Sequence, residues 1–271
     1  MSKEFEVRKE VVLEATPEQV WRAIATPEGQ AAWSPDPYAS QDGMDVEIQE
    51  PERFALRTPE AENGAFHAFE YIVEARDGST TTLRFVHSGY LGDDWDAEFD
   101  FGEMTAQGWD MYFHTLAEYL KHFADRPATF VVAEGPASSS SPEAWTQLER
   151  ALGVDGPVEV GQQLTLTPEG LPQLKGEVDY SRPGEDFIGL RAADGLYRFH
   201  GRAAMGLPVA VGHYLYTEDV DREVTQQAWK DWLERVYASE GAGSVSLAAR
   251  ERGAGSRRSA QRRSGRRSGS P

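Results

Sequence analysis

The chain has 271 residues, a net charge of −18 and no cysteine. The length suits about two domains of ~100–150 residues, and the lack of cysteine excludes disulfides, thiolate metal sites and thiol nucleophiles and fits a reducing, cytoplasmic setting. Eight arginines and one acid lie in residues 250–271, so the remaining body holds 19 basic against 44 acidic residues, and a surface so acidic repels phosphate backbones and excludes nucleic-acid binding through the folded body.

Met1-Ser2-Lys3-Glu4-Phe5 lacks the apolar stretch of a secretory signal, and no run approaches the ~20 apolar residues of a membrane span. Residues 4–14 read as a strand, with Phe5, Val7, Val11 and Leu13 apolar. Thr16-Pro17-Glu18-Gln19 supplies an N-cap, a proline in the first turn and a capping-box glutamine for a helix through Val20-Trp21-Arg22-Ala23-Ile24. Thr26-Pro27-Glu28-Gly29 breaks that helix, and a proline-rich loop follows through Trp33, Pro35, Pro37 and Tyr38. Strands are expected near 44–49, 52–58, 65–76 and 79–88, with Asp77-Gly78 as a hairpin turn. Their odd positions, His67, Phe69, Tyr71 and Val73 on one strand and Leu83, Phe85 and His87 on the next, should point inward. Segment 94–102 is open to strand or helix. A long amphipathic helix, starting as early as 103, then carries Trp109, Phe113, Leu116 and Leu120 at helical spacing.

The order repeats at a spacing near 120 residues. Residues 128–134 read as a strand, Ser141-Pro142-Glu143-Ala144-Trp145 echoes the first cap, and a helix over 142–152 ends at Gly153. Strands follow near 162–167, 173–180, 186–192, 195–202 and 208–216, with Asp194-Gly195 as a turn. A helix over about 221–239 closes the unit, with Trp229 placed as Trp109 is in the first half. The fold class expected is α+β, with domains over 1–125 and 126–240. Residues 241–271, rich in Arg, Ser and Gly, form a disordered tail that could touch nucleic acid, anionic lipid or the acidic body itself.

Four blocks carry a family resemblance: Thr16-Pro17-Glu18-Gln19-Val20-Trp21, then Thr26-Pro27-Glu28-Gly29-Gln30-Ala31-Ala32-Trp33, then His87-Ser88-Gly89-Tyr90, then Gly108-Trp109 with Leu116-Ala117-Glu118-Tyr119-Leu120. Over about residues 4–123 the chain resembles the START-like (SRPBCC) superfamily. Within it, the likeness is to bacterial proteins similar to the C-terminal domain of the heat-shock protein 90 ATPase activator. The second half shares only the outline and shows no block like Trp33 or His87-Ser88-Gly89. The resemblance implies two tandem helix-grip domains, each a curved antiparallel sheet wrapped on a long C-terminal helix. It also implies a cavity between sheet and helix, used by relatives for lipids, polyketides, hormones and antibiotics. It carries no shared catalytic residues.

The functional expectation is an apolar small molecule, lipid- or polyketide-like, bound in that cavity by Trp33, Phe69, Tyr71, Phe85, His87, Tyr90, Trp95, Trp109 and Phe113. No nucleotide, hydrolase or zinc-protease motif is present, so no cofactor, metal or catalytic residue is assigned. Two alternatives stand beside binding: a polyketide cyclase or hydrolase using His67, His87 or Tyr90 as acid or base, with Glu98 or Asp100 near the rim, and a protein-interaction module engaging a partner through its surface. Asp110, His114, Glu118 and His122 share one helix face, where they could ligate a divalent metal or form an exposed polar stripe.

Overall fold

The computed structural model describes residues 3–35, 43–76, 79–96, 100–182 and 184–255, with side chains described as far as residue 238. The expected Asp77-Gly78 turn, Pro37 and Tyr38 of the loop, Glu98, and residues 256–271 of the tail lie outside them.

In the first half, β1 (Glu4–Leu13) leads into α1 (Pro17–Ala25). The capping box is made as read: Gln19 N donates to Thr16 Oγ1 at 3.3 Å, and Thr16 N donates to Gln19 Oε1 at 3.0 Å. Thr26-Pro27 does more than break this helix. Thr26 Oγ1 accepts from Gly29 N at 3.0 Å and starts the short helix α2 (Pro27–Ala31), which delivers Trp33 to the core. Strands β2 (Asp45–Gln49), β3 (Arg53–Arg57), β4 (Phe66–Ala75) and β5 (Thr81–Tyr90) follow. Of segment 94–102, residues 97–99 lie outside the described residues; at its end the Asp100 carboxylate accepts from Glu103 N at 3.0 Å and starts α3 (Phe101–His122). All strand pairs are antiparallel, in the order β1-β5-β4-β3-β2.

Residues 123–128 lead to the second half, which repeats the plan with one extra strand. It contains β6 (Thr129–Glu134), α4 (Ala144–Leu152), β7 (Gln163–Leu166), β8 (Leu174–Tyr180), β9 (Phe187–Ala192), β10 (Gly195–His200), β11 (Ala210–Leu215) and α5 (Arg222–Gly255). Ser141-Pro142 forms the turn ahead of α4, whose N-cap is Glu143. Gly153, at φ 77°, closes α4 in the left-handed region where a side chain is disfavoured. The backbone of α5 runs on to Gly255, inside the segment assigned from sequence to the tail. The second sheet has the order β6-β11-β10-β9-β8-β7. No helix among the described residues is long and apolar enough to cross a membrane.

Each half is therefore an antiparallel sheet closed by a long C-terminal helix, and the chain is two tandem helix-grip units. Trp21, Ile24, Trp33, Phe54, Tyr71, Phe85, Phe113 and Leu116 form the first core. Leu148, Leu190, Phe199, Val211, Trp229, Trp232 and Leu233 anchor the second. Burying each such large apolar side chain contributes about 1.5–3 kcal/mol. The cores are not separate. Leu196 and Tyr214 of the second sheet, with Tyr216 just after β11, belong to the first core, while the neighbouring Tyr197, Phe199, Val211 and Leu215 belong to the second. Strands β10 and β11 are thus buried on both faces, one against α5 and the other against the first half, including α3.

Candidate functional site

Strand alternation brings His67, Phe69 and Tyr71 of β4 beside Leu83, Phe85 and His87 of β5, with Phe69 opposite His87 and Tyr71 opposite Phe85. Helix α3 lays Trp109 and Phe113 across them. Phe85 meets Trp109 at 4.3 Å between ring centroids, Phe113 at 5.0 Å and Tyr71 at 4.8 Å. Trp33 stacks on Phe113 at 6.0 Å, and its indole N–H donates to Ala23 O at 2.9 Å. This deep end is closed: Trp33, Tyr71, Phe85 and Phe113 are each at most 2 % exposed.

The other end is half-buried and polar at its centre. Trp109 Nε1–H donates to His87 Nδ1 at 3.0 Å, and His87 Nε2 lies 3.0 Å from His67 Nδ1. An indole nitrogen can only donate, so the proton of neutral His87 sits on Nε2 and is given to His67 Nδ1. The proton of neutral His67 is then on Nε2, which has no partner among the described residues. Phe69 stacks on His87 at 4.3 Å, and Phe5 meets it edge-on at 4.9 Å. Burial, with neighbouring His67 adding to it, pushes the His87 imidazolium down to a pKa of about 3, and burial lowers His67 as well. Both rings are neutral at pH 7. Phe101 continues the rim, 4.8 Å from Phe5 and 5.6 Å from Trp95.

Eight of the nine expected residues therefore form one continuous aromatic array, from Trp33 at the closed end to Trp95 at the rim. Tyr90 is apart from it. It is three residues from His87, so it projects from the opposite face of β5, where its hydroxyl donates to Asp93 at 2.5 Å. Phe5 and Phe101 join the array without having been singled out in the sequence. Gly89 carries a signal for the first: it pairs with Phe5, and a Cβ there would meet the Phe5 ring at 3.0 Å and Phe66 O at 2.2 Å.

The polar face of α3 is taken up by ion pairs rather than exposed as a stripe. Asp110 pairs with Lys9 at 2.5 Å and Arg182 at 3.5 Å, His114 with Asp179 at 3.2 Å, and Glu118 with Arg191 at 2.7 Å and His122 at 3.6 Å. Arg182, Asp179 and Arg191 come from the second half, so the stripe is where the halves dock. No cluster of three or more acids and histidines among the described residues is placed to hold a metal ion.

The second half contains a spatial counterpart of His87 that no sequence block announces. His87 pairs with Val7 of β1, and His213 of β11 pairs with Val131 of β6 in the same topological position. His213 meets Trp229 at 4.6 Å, as His87 meets Trp109 at 5.9 Å. Its surroundings differ. The place of His67, opposite Gly89, is taken by Gly195, opposite Leu215. His213 Nδ1 accepts from Arg198 N at 3.1 Å, and its fully buried Nε2 has no partner among the described residues.

No family model and no curated protein matches the chain. Solved structures similar to it include the di-domain ARO/CYC protein BexL from the BE-7585A biosynthetic pathway, at 12% identity over 90% of this chain and 95% of that one, with a TM-score of 0.37. DynU16, a protein of the dynemicin biosynthetic locus, matches at 16% identity over 88% of this chain and 98% of that one, with a TM-score of 0.34. Protein CV1439 from Chromobacterium violaceum matches at 20% identity over 43% of this chain and 96% of that one, with a TM-score of 0.32.

Proposed function

We propose that this chain binds an apolar, lipid- or polyketide-like small molecule between β4, β5 and α3, with domain 1–125 as the binding unit and domain 126–240 as its support. One observation carries the proposal: half-buried His67 stands among the rings of Phe5, Phe69 and Phe101, in the same aromatic array as half-buried Trp109 and Trp95, and its Nε2–H has no partner among the described residues. Apolar walls with one placed polar group suit a ligand of rings or chain bearing a carbonyl or hydroxyl oxygen. The chain of bonds from Trp109 through His87 to His67 sets which nitrogen faces the ligand.

Binding is favoured over acid–base turnover because His87, with its pKa near 3, is not an imidazolium acid at neutral pH and is a weak base. Tyr90 is on the wrong face for such a role. Membership of the START-like superfamily, in the activator-homologue branch, and a cytoplasmic location belong to the same proposal and rest on the four sequence blocks and the cysteine-free composition.

Titration with the neutral fluorophore N-phenyl-1-naphthylamine tests it. Saturable binding to wild type that weakens at least ~10-fold in Trp109→Ala is expected, since an aromatic wall contributes more than ~1.4 kcal/mol. Equal binding by both proteins, or no saturable binding, would remove the proposal.

A further inference from the structure

The walls of this site are held from outside by side chains of the second half. Tyr216, immediately after β11, donates its hydroxyl to Ala32 O at 2.7 Å. Ala32 precedes Trp33, the ring that closes the deep end against Phe113. The Tyr216 ring is itself stacked on Phe123 at 4.3 Å and on Tyr119 at 5.6 Å, both at the C-terminal end of α3. Further along that helix, Arg198 of β10 donates from Nε to Thr115 Oγ1 at 3.3 Å and bidentately to Asp179 at 2.9 and 2.7 Å. Asp179 also faces His114. Thr115 and His114 stand on α3 beside Phe113, one turn or so beyond Trp109.

Arg198 and Asp179 are each only 2 % exposed. A buried ion pair is a poor source of net stability, since desolvating both charges offsets most of their attraction. What a bidentate pair does provide is direction: it permits one placement of the guanidinium, and so one height of Thr115 against the second sheet. Helix α3 is a continuous rod. A change in its height on the docking face also changes the height of Trp109 and Phe113 on the site face.

We infer that Tyr216 and Arg198 are positioning residues for the first-half site, Tyr216 by fixing the Trp33 segment and Arg198 by fixing α3, though neither touches the rim that would meet a ligand. The inference rests on the binding function proposed above for what is positioned. Coupling of this kind is reciprocal: what loosens the docking face weakens the ligand, and the ligand tightens the docking face.

Two variants remove direction while keeping packing. Tyr216→Phe retains the stack on Phe123 and loses the bond to Ala32. The double variant Asp179→Leu with Arg198→Met replaces the pair by apolar groups. Leu148→Val, in the α4 core away from α3, is the control for a general loss of stability. The first readout is the indole N–H resonance of Trp109, assigned by its absence in Trp109→Phe; it reports the bond to His87 and needs no ligand. The second is the dissociation constant for N-phenyl-1-naphthylamine. Both positioning variants should shift the resonance and weaken the probe about 3- to 10-fold, the size of one hydrogen bond's net effect, with Leu148→Val leaving both as in wild type. An unmoved resonance in both positioning variants overturns the inference. A wild type that never binds the probe removes the proposed function instead, and the resonance still decides whether Tyr216 and Arg198 position Trp109.

Discussion

His87 and His213 occupy the same place in two copies of one architecture and both are buried, yet the tryptophan that meets His87 is half-buried and the one that meets His213 is core. In the first half Gly89 keeps the neighbouring position empty, so Phe5 and His67 can gather around His87, and Trp109 stays half-buried. In the second half the choices are reversed: Gly195 replaces the histidine and Leu215 replaces the glycine, with a Leu215 methyl 3.0 Å from where a Gly195 Cβ would stand. Trp229 is 4 % exposed and His213 fully enclosed. The same pair of residues, histidine on the strand and tryptophan on the closing helix, is therefore a rim in one copy and a core in the other. Among the differences between the two sites is this two-residue exchange across one strand pair. The second half turns its sheet to another use, with the back of β10 and β11 packed on the first half.

The largest effect is expected from Asp179→Ala, which strands the buried Arg198 charge between the halves and should cost about 3–5 kcal/mol in chemical denaturation. A loss below ~1 kcal/mol would mean that the second half does not depend on this contact. Next, Trp229→Ala should cost about 3–5 kcal/mol as a full core cavity, and the half-buried Trp109→Ala visibly less, about 2 kcal/mol; equal losses would erase the distinction between core and rim.

The pH dependence is smaller and has a definite sign. His87 and His200 titrate near 3 in the folded chain, and His213 is also held well below its ordinary value of 6.5, burial being the chief cause in each. Above the ordinary value both folded and unfolded states are neutral there. Between about 6.5 and 3 the unfolded chain takes up protons that the folded one refuses, so stability falls as pH falls, by at most ~1.4 kcal/mol per pH unit per histidine. His213→Leu should flatten this slope between pH 6.5 and 5.5, measured by urea denaturation, and an unchanged slope would contradict the enclosure of His213. The same variant leaves the buried Arg198 N–H without its acceptor and should cost about 1–2 kcal/mol at pH 7.5, as should His67→Leu, which leaves His87 Nε2–H unpaired.

Local rules made much of this legible beforehand. Thr16-Pro17-Glu18-Gln19 defines its helix start through backbone donors alone, and the alternation in 67–73 and 82–88 placed the inner face of β4 and β5 correctly. The same alternation excludes Tyr90, because an odd separation from His87 reverses the face. Tertiary pairing was harder to read. Asp110, His114 and Glu118 have the spacing of a solvated stripe, a ligand set or a docking face alike, and only the arrival of Arg182, Asp179 and Arg191 from 60 or more residues away distinguishes them. The run Val209-Ala210-Val211-Gly212-His213-Tyr214-Leu215-Tyr216 did carry a sign of burial on both faces, as continuous apolar strands do. His213 could not be matched to His87 by spacing, since it stands 16 residues before its tryptophan against 22 in the first half.

The most direct test of the account is mass spectrometry of small molecules released from natively purified protein, wild type against Trp109→Ala. A stoichiometric apolar compound carrying at least one oxygen acceptor, present in wild type and lost in the variant, is the predicted result. A compound retained equally by both proteins, or none from wild type expressed in its natural background, would contradict the binding site between β4, β5 and α3.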